Sequence, residues 1–280
     1  MPTTNRAPVT VLLLSLSLAA CGSSPPPKVE EPVQEGSARP QRSGPKLQMS
    51  QELGSIDEKK VQQTFASLTQ GAAETCHKQG RDRVEYLTGD LAVFLRIDGN
   101  GKVRWGYFEK TTVGDRETEK CVLEVFKNAS WPKPEGGEAQ VQYTFGWGPG
   151  GEREPSTWSS DKVTSALVEH KDVKKEVDRC KGSVKGDFKV TAYVEAVEPS
   201  SSTEPSSEPA SSKAKPPKAA PLPPKPTKKG DKEPRGHFRA IGIAPPDKDG
   251  AEKVDCIVDA LKPLELPSPG SYAAKVTFSL

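Results

Sequence analysis

Long apolar runs are missing from this chain. The most concentrated one, Val9–Leu18, is ten residues, about half of the ~20 that a membrane-spanning helix needs. Charge of one sign is not in excess either, with 40 Lys and Arg against 38 Asp and Glu. That balance argues against a dedicated nucleic-acid binder, which would present a basic face. Histidine is scarce, at three residues in 280. No C-x-x-C pair, Ser-centred elbow or phosphate loop occurs. The usual sequence signals for zinc, a hydrolase nucleophile or nucleotide binding are therefore absent.

What is present begins at the amino terminus. Arg6 precedes the apolar run, and Leu18-Ala19-Ala20-Cys21 follows it. A short basic start, a short apolar core and small residues before the cut read as a secretory signal over residues 1–20. The segment resembles a bacterial lipoprotein signal, whose lipobox ends in the acylated cysteine. The resemblance implies that Cys21 carries the lipid. Several acyl chains anchor firmly where one binds only marginally. Gly22 follows in place of the aspartate associated with inner-membrane retention, so the expected address is the outer membrane, facing the periplasm.

The second half of the chain repeats the first. Residues 101–145 lie over residues 236–280 without a gap, at a constant offset of 135. Gly101, Arg104, Glu117, Cys121 and Lys127 meet Gly236, Arg239, Glu252, Cys256 and Lys262. Pro132, Pro134, Ala139 and Val141 meet Pro267, Pro269, Ala274 and Val276. A turn glycine, a cysteine and a P-x-P pair at fixed spacing indicate duplication of one small fold. The repeat also orders the cysteines. With Cys21 acylated, Cys76, Cys121, Cys180 and Cys256 remain in a compartment that permits disulfides. Each copy holds one cysteine before its hairpin and one after it, which selects Cys76–Cys121 and Cys180–Cys256 from the three pairings. A zinc site at Cys76 and its neighbour His77 is the competing reading, and the spacing does not favour it.

Each copy reads helix–strand–strand–helix–strand. In copy one, Val61, Phe65, Leu68, Ala72 and Cys76 share a helical face, and Gly80 is read as the stop. Leu91–Ile97 alternates with the two-residue period of a strand, Asp98–Gly101 makes a hairpin turn, and Val103, Trp105 and Tyr107 return. Asp115 caps a second helix with Val122, Val125, Phe126 and Ala129 on one face, and Trp131–Pro134 ends it. Ala139, Val141, Tyr143 and Phe145 form the last strand. Copy two repeats the order, with Ser159 or Ser160 capping its first helix. Its return strand places Phe238, Ala240 and Gly242 on one face. The expected class is α+β, each module being a three-stranded antiparallel sheet with two helices on one face.

The modules are expected at 53–148 and 159–280. Residues 21–52 are rich in Pro, Ser, Gly and charge, and about 198–235 in Pro, Ser and Lys; both lack an apolar period, so they read as disordered. The first is a tether. The second sits where copy one has its hairpin turn, and loop closure tolerates such an insertion. Its lysines, Lys213–Lys232, read as a solvated linker, with contact to anionic headgroups or cell-wall polymer as the alternative.

Copy one, with Cys76, Gly89, the alternation Leu91–Ile97, Gly101, Asp115, Cys121, Pro132, Pro134, Gly136-Gly137 and Ala139–Phe145, resembles the AgmX/PglI C-terminal domain of myxobacterial envelope and gliding-motility proteins. It is more distantly similar to the C-terminal domains of TonB and TolA. Copy two resembles them more loosely and lacks the Gly-Gly pair. The resemblance implies a periplasmic interaction domain without enzymatic activity. TonB and TolA are energised through an N-terminal transmembrane helix, whereas this chain offers a lipidated cysteine, which favours a scaffold or adaptor over a force transducer. TonB-like domains bind by strand addition, which makes Ala139, Val141, Tyr143 and Phe145 the expected partner-binding edge strand.

The expected function is therefore a non-enzymatic outer-membrane lipoprotein that binds envelope proteins, with motility or transport machines as its setting. The alternative is a lipoprotein that binds peptidoglycan or another surface polymer through Trp105, Trp131, Trp147 and Trp158. Core packing is the simpler role for Trp105 and Trp131. An enzyme is the weakest reading. His77, His170 and His237 fall at unmatched positions of the repeat, and His170 lies on an apolar helix stripe. The matched Asp90 and Asp187 follow glycines at turns. No catalytic residue, cofactor or metal is expected.

Overall fold

The computed structural model describes residues 44–50, 54–197 and 235–280, all within one compact unit. The leader at 1–20, Cys21 and the insertion up to residue 234 lie outside the described residues.

Copy one opens with strand β1 (Lys46–Ser50). Helix α1 (Glu58–Gln70) follows, its first turn capped by Asp57, whose side chain accepts from the Lys60 N–H at 3.0 Å. The apolar stripe predicts one helix through Cys76, but Gly71 breaks it, and α2 (Ala72–Arg83) starts anew. Gly80, read from sequence as the helix stop, lies inside α2. A Cβ there would come within 2.1 Å of the Thr118 Oγ1 and 2.6 Å of Leu87. Gly80 thus permits close packing of helix on helix rather than ending one. Strands β2 (Gly89–Ile97) and β3 (Val103–Thr111) form the hairpin, whose turn is closed by the Asp98 carboxylate accepting from the Asn100 and Lys102 N–H groups at 2.9 Å each. Helix α3 (Arg116–Asn128) is capped by Asp115, as expected, and β4 (Ala139–Trp147) completes the copy. Phe65 stacks on Tyr143 at 4.2 Å and lies 4.5 Å from Trp131, in the middle of the core.

Copy two contains β5 (Ser156–Trp158), α4 (Asp161–Glu169), α5 (Lys171–Lys181), β6 (Lys189–Ala196), β7 (Arg235–Ala244), α6 (Lys248–Ala251), α7 (Val254–Leu261), β8 (Leu266–Pro267) and β9 (Ala274–Ser279). Here too the first helix is broken, at His170, which caps α4 rather than lining a continuous stripe.

The class is α+β, but the sheets are larger than three strands. Copy one orders β1-β4-β2-β3 and copy two β5-β9-β6-β7-β8. In each, the segment entering the copy lays itself on the outer side of the last strand. β1 pairs antiparallel with β4, and β5 pairs parallel with β9. An open strand edge carries unpaired N–H and C=O groups, and covering it satisfies them. Residues 46–50, expected in the tether, are therefore sheet, and both copies start before 53 and 159.

Strand register confirms the duplication. Val93 pairs with Phe108 and Tyr143, and Val190 with Ile243 and Phe278. Between the copies the offset is 97 in the strand before the hairpin and 135 in both strands after it, so the hairpin carries an insertion of 38 residues. Both hairpins also bulge at the same place. Arg104 is skipped between the pairs Arg96–Trp105 and Ile97–Val103, and Arg239 between Tyr193–Ala240 and Val194–Phe238. The extra residue switches the strand's faces. Phe238, Ile241 and Ile243 consequently enter the core of copy two, while Ala240 joins the core of copy one. The simple alternation read across Phe238, Ala240 and Gly242 misses this switch.

Candidate interaction surfaces

Ala139, Val141, Tyr143 and Phe145 point their side chains into the core of copy one, where Ala139 and Val141 have no exposure. A partner could therefore read these four residues only through the main chain, while Gln140, Gln142 and Thr144 are half-exposed on the other face of β4. Nine residue pairs join it to β2, from Gly89–Trp147 to Ile97–Ala139. Its other side, expected to be open, is covered by β1, from Lys46–Thr144 to Ser50–Gln140. Leu47 and Met49 are half-buried against the core. Ser55 then exchanges both main-chain hydrogen bonds with Glu135, at 3.0 and 2.7 Å.

The second surface joins the copies. Tyr193, on the side of β6 away from its own helices, has no exposure, and its hydroxyl donates to the Thr88 carbonyl at 3.1 Å. The Tyr86 hydroxyl donates to Glu195 at 2.5 Å, and burial with that carboxylate pushes the Tyr86 phenol up. Arg239 donates twice to the Arg83 carbonyl, at 3.1 and 2.7 Å. Asp255 accepts from Arg116 at 2.7 Å and Lys120 at 3.2 Å.

At the centre of this joint sits Glu119, with no exposure, accepting from the Thr111 hydroxyl at 2.7 Å and the Ile243 N–H at 3.3 Å. Gly242 makes room for it, since a Cβ there would lie 2.1 Å from Glu119 Oε1. Burial raises the Glu119 carboxyl from its ordinary 4.5 to about 8, against the lowering pull of Thr111, Arg116 and the Ile243 N–H; Asp115 adds to the rise. The residue at the repeat-equivalent position is Val254, so the carboxyl belongs to the joint rather than to the fold. Its sequence signal was a charge three residues before Val122 on the apolar stripe of α3.

The third surface is the outer face of the first sheet. Phe94, Trp105 and Tyr107 are half-exposed and stack with centroids 5.2 to 6.2 Å apart. Arg96 lies between Trp105 and Gln140, and Phe94 between Tyr107 and Gln142. Glu138 accepts from Arg96 at 2.5 Å and from Arg104 at 2.6 Å. Of the four tryptophans, Trp131, Trp147 and Trp158 are buried. The Trp131 indole donates to the Phe126 carbonyl at 3.0 Å and Trp147 to Glu74 at 2.8 Å.

Disulfides join Cys76 to Cys121 and Cys180 to Cys256, with Cα atoms 5.8 and 5.6 Å apart. Each ties the helix before the hairpin to the helix after it. His77 is buried, stacks on Trp147 at 4.3 Å and hydrogen-bonds the Leu87 carbonyl through Nε2 at 2.9 Å; burial lowers its pKa. Among the described residues, no group of three His, Cys, Asp or Glu is placed to hold a metal ion, and no helix is long and apolar enough to cross a membrane. Comparison with protein-family models, curated proteins and solved structures finds no match to this chain.

Proposed function

We propose that this protein is a non-enzymatic lipoprotein of the outer membrane, held by acylated Cys21 and acting in the periplasm as a scaffold or adaptor for other envelope proteins. Its two copies are read as divergent AgmX/PglI C-terminal-like, TonB/TolA C-terminal-like domains. The observation that carries the reading is that β4 already holds an added strand, β1, paired along its outer side over five residues with only Leu47 and Met49 resting on the core. The joint between the copies supports a rigid platform, because a scaffold must hold its surfaces at fixed separation. The test is photocrosslinking in envelope fractions from a reactive side chain at Gln142 or Gln140, with Glu124 on α3 as control. A protein adduct specific to the strand positions is expected. Adducts absent there, or equal at the control, count against the reading.

A second reading is favoured by the outer sheet face. Three stacked rings flanked by Gln140, Gln142 and Arg96 offer both ring faces and hydrogen-bonding groups to a sugar polymer. With three tryptophans buried, this reading narrows to Trp105. Sedimentation with purified peptidoglycan, lost on Trp105→Ala, is its expected result; sedimentation unchanged by that substitution removes it.

A further inference from the structure

The two sides of β4 are held very differently. On one side, β2 supplies Leu91, Val93, Leu95 and Ile97, all without exposure. On the other, five residues pair with it, and their two apolar side chains, Leu47 and Met49, are only half-buried. The described residues of the covering segment nevertheless share one register. Lys46–Thr144, Ser50–Gln140 and Ser55–Glu135 all lie on a single antiparallel diagonal, their residue numbers summing to 190 in each case. Its inner end is fixed closely. A Cβ on Gly54 would lie 2.8 Å from the Glu135 carbonyl, so glycine lets the chain approach there. The segment is thus a strap, anchored at Ser55 and lightly held at Lys46–Met49.

Copy two supplies an independent comparison. The equivalent edge, on β9, is also occupied by the segment entering the copy, but in the parallel direction and over three residues. The same fold has accepted two unrelated strands in two directions, each laying different apolar side chains on its core, Leu47 and Met49 in one and Trp158 in the other, so the edge does not demand one particular occupant.

We propose that residues 46–50 are an exchangeable occupant of the β4 edge, replaced in the working complex by an extended segment of a partner protein. That segment runs antiparallel to β4, with apolar side chains where Leu47 and Met49 stand and a polar residue between them. This rests on the scaffold reading and names the surface and the partner's pattern. The strap keeps the acceptor edge paired until a partner arrives, and lowers apparent affinity by the fraction of time it is closed.

The test uses the full chain and a fluorescent peptide with the sequence of residues 44–50, followed by anisotropy. Three forms are compared: the native chain, Leu47→Asp with Met49→Asp to loosen the strap, and Gln48→Cys with Gln142→Cys to lock it. The loosened form is expected to bind at least ~10-fold tighter than the native chain, and the locked form not at all. Equal affinity for loosened and native forms, or binding by the locked form, overturns the proposal. So does dimerisation of the loosened form without peptide uptake, which would assign the edge to a second copy. Hydrogen exchange on the native chain needs no variant. Amides of residues 46–50 are expected to exchange well before those of β2, and equal protection overturns the proposal. No envelope protein enters these assays, so their failure leaves the scaffold reading standing; the crosslinking test can fail while exchange holds.

Discussion

Phe94, Trp105 and Tyr107 in the first copy stand where Thr191, Ala240 and Gly242 stand in the second, by the register that relates the two sheets. In the first copy the rings are half-exposed. In the second, the small residues let the face close onto its neighbour, with Thr191 reaching the Thr111 carbonyl at 3.4 Å and Gly242 receiving Glu119. One backbone plan thus yields a joint or a displayed surface, according to side-chain volume. Duplication supplied the two frames, and volume at three positions made them unequal.

The largest expected effect tests what the copies share. Replacing either cystine by serines, Cys76 with Cys121 or Cys180 with Cys256, should cost about 4 kcal/mol in urea unfolding, since the bridges span 45 and 76 residues. The copies should differ in how readily they are reduced. Cys256 is exposed, whereas Cys76 and Cys180 are buried and Cys121 half-buried. Graded reduction followed by alkylation and mass spectrometry should label Cys180 and Cys256 first; simultaneous labelling would erase the distinction.

Next comes the notch. Gly242→Ala drives a methyl into the Glu119 carboxyl and to 2.8 Å from the Gly114 Cα. The expected cost is about 1–3 kcal/mol, together with earlier proteolysis between the copies. The same notch has a pH-dependent effect. The Glu119 pKa is raised in the folded state, so its contribution is fully present below about 4.5, declines as pH rises, and is lost above about 8. Glu119→Gln stays neutral. It should match the native melting temperature near pH 4.5 and exceed it increasingly as the pH rises to 8. The smallest effect is Trp105→Ala, a half-exposed side chain outside the core. It should change stability by under about 1 kcal/mol while removing any polymer binding.

Much of this contrast was legible in the sequence, and its limits have physical causes. The Gly, Cys and Pro-x-Pro spacing revealed the repeat and ordered the cysteines, because those residues serve the backbone and tolerate few substitutes. The hairpin insertion was visible because one turn accepts length. The helix breaks at Gly71 and His170 were not, because the apolar period runs on across both. The bulge at Arg104 and Arg239 gave an identity but no sign of its meaning, since a shifted register appears only against a partner strand. β1 was hidden because five residues, Lys-Leu-Gln-Met-Ser, lack strong strand preference and become a strand only by pairing with β4. Glu119 broke the stripe of α3 openly, but which surface received it depended on the second copy.

The joint between the copies is tested most directly by titrating the Glu119 carboxyl carbon by NMR in the intact protein. Enclosed between Thr111 and the Ile243 N–H, it should titrate far above 4.5, with a midpoint near 8. A midpoint near 4.5 would place the carboxyl in water and the two copies apart.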